Sequence, residues 1–278
     1  MRREWRSWNG ARDWAPTCGR RSDCVSRLIR SDWHVHTNLS DCGHVDAAPM
    51  AMVRAAQEAG LEAIGITDHV IFEKDKLRPG EARRSLPREL DGLRVYVGCE
   101  ADMQSPTRSS IDAEFAAGLD YVVMSASHLF EPGVEKCEDT SPTGMVDYIF
   151  CLMEGAINCG FADIIPHPFG VPVNPHSWEE MIAEVDGDRW HRLAEMAASA
   201  GVAIEFNPRY LKRDPTQAQW LFGIAKEAGC KLALSSDSHH PRDVGCRGEK
   251  YASEKEIRAT GIEEGDGWRI EDRARARG

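Results

Sequence analysis

From residue 31 onward, short apolar runs alternate with longer segments whose apolar residues recur at helical spacing. The runs are rich in Val, Ile and Leu and are bounded by Gly, Pro or polar residues, which is typical of buried strands. We predict seven strands, at residues 31–36, 61–67, 93–98, 119–125, 161–166, 202–206 and 231–235.

The segments between these runs are predicted to be helical. In segment 143–160 the apolar positions 145, 149, 152, 153 and 157 fall on one helix face. Segment 178–201 fits one long helix or two short ones. The predicted helices span residues 47–60, 111–118, 143–160, 178–201 and 217–229.

The regular alternation predicts an α/β fold. Strands buried between helices favour parallel pairing, and the closed form of a repeated strand–helix unit is a β/α barrel, here with seven strands. We therefore predict a barrel domain at residues 31–245, an N-terminal extension at 1–30 and a charged helical tail at 246–278.

The net charge of −11 argues against binding of extended nucleic acid, because phosphate contacts need a basic track. A small phosphorylated substrate stays compatible with this charge, since bound metal ions add positive charge that the formal count omits.

Other large-scale features are unremarkable. No apolar run approaches the roughly 20 residues that cross a bilayer, and no apolar stretch near the start forms a secretory core. We therefore expect a cytoplasmic protein with no membrane partner, of open oligomeric state. The nine cysteines are scattered without a Cys-x-x-Cys pair, so we expect no disulfide framework.

Potential metal ligands follow the predicted strands. The active site of a β/α barrel lies at the carboxyl ends of its strands, and six of the seven strand ends carry His, Asp or Glu. Imidazole and carboxylate ligands suit zinc, manganese or iron, and their number exceeds what one ion can use. We predict two or three divalent ions. The residues at these ends are His34, His36, Asp68, His69, Glu100, His128, His167, Asp237, His239 and His240.

The order of these motifs resembles the PHP (polymerase and histidinol phosphatase) family across residues 31–245. The resemblance implies a distorted seven-stranded, TIM-like (β/α)7 barrel, a trinuclear metal site and phosphoester hydrolysis. The motifs are His-Val-His-Thr at 34–37, Ile-Thr-Asp-His at 66–69, Gly-Cys-Glu at 98–100, Ser-Ala-Ser-His at 125–128, Pro-His-Pro at 166–168 and Ser-Asp-Ser-His at 236–239.

The resemblance also implies a ligand set for each ion. Glu100 would bridge the first ion and the second. The first ion would be bound by His34, His36, Glu100 and Asp237, the second by Glu100, His128 and His167, and the third by His69, His239 and a residue from the loop after His36. In that loop we favour His44, with Asp41 or Cys42 as alternatives.

The predicted mechanism is in-line attack on phosphorus by a hydroxide that bridges the metal ions. Developing negative charge calls for a further cation, for which Arg209 is the first candidate, with Lys212 and Arg213 as further substrate-binding residues. The alternative is that these three basic residues simply lie in a solvated loop and bind no substrate. His240 is a candidate proton donor to the leaving group, and Asp68 could orient a metal-bound histidine.

The predicted substrate is a small phosphomonoester similar to histidinol phosphate. One alternative is a nuclease or cyclic phosphodiesterase that acts on short nucleotides. Another is a metal-dependent amidohydrolase, which shares the His-x-His strand but typically uses a lysine on strand four, and segment 119–127 contains none. A metal site with a purely structural role is the last alternative.

Overall fold

The computed structural model describes residues 28–170 and 175–276. The N-terminal extension predicted at 1–30 therefore lies outside the described residues except for residues 28–30.

Most of the described strands are short and buried. Each of the seven predicted strands is present, with bounds that agree to within a few residues. The strands are β1 (Ser31–Val35), β2 (Ala63–Ile66), β3 (His69–Val70), β4 (Glu89–Leu90), β5 (Leu93–Val97), β6 (Cys99–Ser105), β7 (Arg108–Ser109), β8 (Val122–Ser125), β9 (Ile164–Ile165), β10 (Ala203–Phe206) and β11 (Leu232–Leu234).

The helices alternate with the strands as predicted. Segment 178–201 forms two helices, because Asp186 caps a new helix by accepting a hydrogen bond from the N–H of Arg189. The helices are α1 (Pro49–Glu58), α2 (Arg78–Ser85), α3 (Ala113–Ala117), α4 (Pro142–Asn158), α5 (Trp178–Ala183), α6 (Gly187–Ala200), α7 (Pro208–Arg213), α8 (Pro215–Glu227), α9 (Glu254–Ala259) and α10 (Ile270–Ala276).

The main strands pair in parallel in two sheets, with orders β1-β2-β5-β4 and β11-β10-β9-β8-β6-β3. The two sheets meet where β2 continues into β3 and β5 into β6. The N–H of Gly98 donates to the carbonyl of Ile66 at 2.9 Å, so backbone bonding continues across the junction. The fold is therefore α/β with a mostly parallel sheet.

β1, at the edge of the first sheet, approaches the chain just after β11, which is at the edge of the second sheet. Val35 and Ser238 form an isolated parallel bridge, and the N–H of His36 donates to the carbonyl of Ser238 at 2.9 Å. These pairings do not form one closed sheet among the described residues, so the closed barrel stays a prediction.

Successive residues of a strand face two different apolar clusters. In β8 and the residue before it, Tyr121 and Val123 belong to a small cluster, whereas Val122 and Met124 belong to the large core beneath the helices. Trp33 and Trp268 pack edge to face in the small cluster, with ring centroids 4.9 Å apart. The tail beyond residue 245 thus contributes to the packing of the strands.

Along the described residues, no helix combines the length and the apolar character that a bilayer-spanning segment requires.

Candidate metal centre

A buried carboxylate, Glu100, lies at the centre of the converging strand ends. Its Oε2 atom is 3.3 Å from His34 Nε2 and 3.4 Å from His36 Nε2. The same oxygen is 3.0 Å from His69 Nδ1. The parallel register explains this convergence, since β3 pairs with β6 so that His69 is the direct neighbour of Glu100.

The second carboxylate oxygen of Glu100 faces two further histidines. Its Oε1 atom is 2.9 Å from His167 Nε2 and 3.6 Å from His128 Nε2. His128 follows β8, the neighbour of β6 in the sheet, and His167 follows β9, the next strand beyond β8. One carboxylate therefore faces two groups of imidazoles, which is the geometry of a bridging ligand.

Asp237 completes the first group. Its Oδ1 atom is 3.5 Å from His36 Nε2 and 3.8 Å from His34 Nε2, while Oδ2 accepts a hydrogen bond of 2.8 Å from Arg209. Burial alone would raise the pKa of Asp237, but Arg209 and the neighbouring histidines hold it well below its ordinary value. Asp237 is therefore ionised and available to a cation.

Burial controls the charge of two central histidines. It lowers the pKa of His36 to about 4 and that of His69 to about 3. For Glu100, burial would raise the pKa, but the nearby imidazoles, His69 and His34 foremost, lower it well below its ordinary value. Near pH 7 His36 and His69 are therefore neutral and Glu100 is ionised, the protonation states that metal binding needs. Burial would also lower the pKa of His34 and His128, but the nearby carboxylates raise it, well above its ordinary value for His34 and to about 9 for His128.

Carboxylates fix the ring orientation of two other histidines of the centre. His34 Nδ1 lies 2.6 Å from Glu205, and His128 Nδ1 lies 2.7 Å from Asp102. A carboxylate oxygen accepts, so Nδ1 carries a proton, and loss of the Nε2 proton, which metal binding requires, would leave the Nε2 lone pair directed at the centre. Sequence reasoning missed both acids. The available signal for Glu205 was an acidic residue inside an otherwise apolar predicted strand.

Two more rings are held by neutral oxygens. The Nδ1 atom of His167 lies 2.8 Å from Ser127 Oγ, and the Nδ1 atom of His239 donates to the carbonyl of Asp237 at 3.0 Å. Asp68, predicted to orient a histidine, instead accepts hydrogen bonds from the loop residues Thr37 and Ser40.

The donor spacing fits a metal ion. His34 Nε2 and His36 Nε2 are 3.0 Å apart, and the oxygens around them lie at 3.3–3.8 Å. Donors bound at about 2.1 Å to one ion are separated by about 3.0 Å in an octahedron and about 3.4 Å in a tetrahedron. Buried Glu100 Oε2 and His36 Nδ1 have no hydrogen-bond partner among the described atoms. The residues present therefore suit a bound divalent ion.

The backbone is strained at two of these side chains. His167 and Asp237 have φ angles of 29° and 51°, in the left-handed region that non-glycine residues rarely adopt. Such conformations cost on the order of 1–3 kcal/mol each and persist only where surrounding contacts impose them. Both lie just beyond strand ends, where they aim donors at the centre.

The loop after β1 presents Cys42, rather than His44, to the centre. A Cβ atom on Gly43 would lie 1.9 Å from the carbonyl oxygen of Thr37, so the loop turns tightly there. Cys42 groups with His36, His69 and His239. His44, the residue favoured from the sequence, is not among these donors.

His44 lies instead beside His240, outside this centre, with ring centroids 4.6 Å apart. Both use Nδ1 to accept a backbone hydrogen bond, from Asp46 and Arg242 respectively. His240 is thus not brought to the centre as a proton donor. Asp41 is exposed and pairs with Arg78 at 3.5 Å.

A cavity of about 720 Å³ opens over the centre. Arg209 and Arg213 line it, whereas Lys212 pairs with Glu256 at 3.1 Å and is not part of the lining. Arg213 donates two hydrogen bonds of 3.0 Å to Glu179.

Sequence reasoning missed two other features of the cavity wall. Arg78 lines the cavity and donates a hydrogen bond of 2.9 Å to the carbonyl of His69. Trp178 and Tyr210 also line it, with their rings stacked 4.7 Å apart. Arg78 and Trp178 begin helices, and Tyr210 lies in α7. The pattern of strand ends did not predict where these side chains would lie.

Comparison with known proteins identifies the family. A sequence profile of the PHP domain matches residues 32–209, more than half of the chain. The chain belongs to the PHP domain family. The resemblance drawn from the motifs is thereby confirmed, and this PHP domain is a phosphoesterase.

Relatives of this PHP domain carry phosphatase names. The "Probable histidinol-phosphatase" of Deinococcus radiodurans is 28% identical over 254 residues, which cover 83% of this chain and 93% of the relative. "Probable phosphatase TTE1963" of Caldanaerobacter subterraneus subsp. tengcongensis is 28% identical over 227 residues, 77% of this chain and 78% of the relative.

A solved structure shares the fold. Histidinol phosphate phosphatase from Lactococcus lactis, crystallised with zinc, L-histidinol and phosphate, superposes with a TM-score of 0.54 at 17% identity. The superposition covers 84% of this chain and 92% of that one.

Proposed function

We propose that this PHP domain hydrolyses a small phosphomonoester with two or three divalent ions, of zinc, manganese or iron. The observation that carries the proposal is the carboxylate of Glu100, whose two oxygens face separate groups of imidazoles. Two ions bridged in this way suit in-line displacement at phosphorus.

The distances support a ligand set for each ion. Glu100 would serve both the first ion and the second. The proposed ligands are His34, His36, Glu100 and Asp237 for the first ion, Glu100, His128 and His167 for the second, and His69 and His239 with one donor from the loop after β1 for the third.

When bound, the ions would polarise the phosphoryl group and activate water. The protein's own residues would position the reactants. Arg209 lies at the cavity wall, held by Asp237, where its guanidinium can bind phosphate oxygens as charge develops. Arg78 and Arg213 add positive charge along the same wall. His44, His240 and Lys212 have no place in this arrangement.

The cavity supports a small leaving group similar to histidinol. Its volume suits a metabolite, Trp178 and Tyr210 give it an apolar side, and a relative bears the name histidinol-phosphatase. The net charge of −11 disfavours a long nucleic acid.

We also propose that the two sheets act as one distorted seven-stranded barrel, closed where Val35 meets Ser238. Residues 31–245 would form this barrel domain. The tail 246–278 would pack on it through Trp268.

Substitution of Glu100 tests the ligand assignment. We expect Glu100→Gln to lose activity and bound metal together, because a neutral amide bridges two cations poorly. Elemental analysis and phosphate release measure the two losses, and Glu227→Gln, at an exposed helix position, is the control. Full activity with full metal content in the Glu100 variant would contradict the assignment.

A substrate screen tests the reaction. It should include p-nitrophenyl phosphate, histidinol phosphate, a cyclic nucleotide and short oligonucleotides. We expect hydrolysis of the monoesters, and hydrolysis of the diesters alone would overturn the proposed substrate class.

A further inference from the structure

The loop between β1 and α1 brings a thiol to the strand ends. The Sγ atom of Cys42 and one ring nitrogen each from His36, His69 and His239 lie within 4.8 Å of one another. His36 faces Glu100 through Nε2 and belongs with the first ion. Cys42, His69 and His239, which all line the cavity, are therefore the donors left for the third ion.

Hydrogen bonds fix this loop against its neighbours. Asp68 accepts a bond of 2.8 Å from the N–H of Thr37 and one of 2.7 Å from the hydroxyl of Ser40. The same hydroxyl oxygen accepts a bond of 3.0 Å from the backbone N–H of His69. The loop that carries Cys42 is thus tied to the backbone of His69, so their separation is set by the fold.

We propose that Cys42 binds the third ion as a thiolate, and that this position therefore selects zinc over manganese or magnesium. On binding, the S–H bond breaks, the sulfur electron pair bonds to the ion and the proton passes to solvent. Thiolates favour zinc, whereas carboxylates and water suit manganese and magnesium.

The contrast with the other two positions comes from their oxygen donors. Glu100 and Asp237 would supply carboxylate oxygens to the first ion, and Glu100 would supply one to the second. A carboxylate-containing set accepts manganese as well as zinc. Three protein donors at the third position leave room for water or substrate, as in catalytic zinc sites. The inference rests on the proposed function, because it deepens the same metal centre.

Cobalt substitution tests the proposal directly. The full-length protein is loaded with Co²⁺ and its near-ultraviolet thiolate-to-cobalt charge-transfer absorption is recorded. Cys42→Ser is compared with Cys137→Ser, the same change at a half-buried loop thiol that does not line the cavity. We expect the band in the parent protein and in Cys137→Ser, and its loss in Cys42→Ser with circular dichroism unchanged.

Zinc titration gives a second readout. We expect Cys42→Ser to bind one zinc fewer per chain at limiting zinc, and excess manganese to displace zinc from the other positions first. A band that persists in Cys42→Ser, or that is absent from the fully loaded parent, overturns the proposal.

Hydrolysis assays separate the two hypotheses. Monoester hydrolysis without a charge-transfer band would refute the role of Cys42 and leave the proposed function intact. A band without hydrolysis of any phosphoester would refute the proposed function and leave the thiolate site standing.

Discussion

Glu205 illustrates what residue patterns can and cannot predict. Alternation along β10 places it on the same face as Ala203, towards the small aromatic cluster. Its partner His34, however, lies 171 residues earlier in the chain. The pattern predicts which face a residue occupies, whereas the side chain that it meets depends on strand order and register. His34 was therefore predictable as a candidate ligand, and its hydrogen-bond partner was not.

Asp102 offers a test of such positioning. We expect Asp102→Asn to weaken metal binding by about 10–100-fold, because an amide no longer supplies the negative charge that fixes and activates His128. Competition with a chelator measures the affinity, and Asp147→Asn, on the exposed face of α4, is the control. Equal affinities in the two variants would show that Asp102 does not tune the centre.

At the scale of elements, the strands and most helices were predictable because apolar runs and helical spacing are local signals. The pattern missed β3 and β6, since polar residues interrupt the apolar runs where the chain changes sheets near Asp68 and Gly98. It also missed α7, which starts at Pro208 directly after β10 and is separated from α8 by a single residue.

Gly65 in β2 shows how closely these strands pack. A Cβ atom there would lie 1.8 Å from Tyr121 Oη, which donates a hydrogen bond of 2.6 Å to the carbonyl of Trp33. We expect Gly65→Ala to lower the free energy of unfolding by about 1–3 kcal/mol through overpacking. Urea denaturation measures this change.

Gly223 in α8 provides the matched control, because an added Cβ would meet nothing within 4 Å. Alanine at a helix interior position should leave stability equal or raise it by up to about 1 kcal/mol. A loss of stability of the same size in both variants would rule out the clash with Tyr121 as the cause.

At the scale of the whole molecule, the chemistry lies at one edge of the sheet and the aromatic cluster near the other. Parallel pairing makes this division predictable, since all carboxyl ends lie together. Which of Cys42 and His44 lies beside the centre was not predictable, because it depends on the tight turn at Gly43. The contact between Val35 and Ser238, on which the proposed closure of the barrel depends, is not specified by the local apolar pattern.

The 3.0 Å contact between His34 Nε2 and His36 Nε2 has a thermodynamic consequence. A fold that gathers lone pairs and carboxylates binds divalent ions more tightly than the unfolded chain does, so free metal concentration becomes a variable of its stability curve. At a hundred times the dissociation constant, each ion should add about 2.7 kcal/mol. We expect a chelator to lower the melting temperature of the parent protein, with a smaller effect on Glu100→Gln. A melting temperature independent of metal would mean that these donors bind no ion in the folded state.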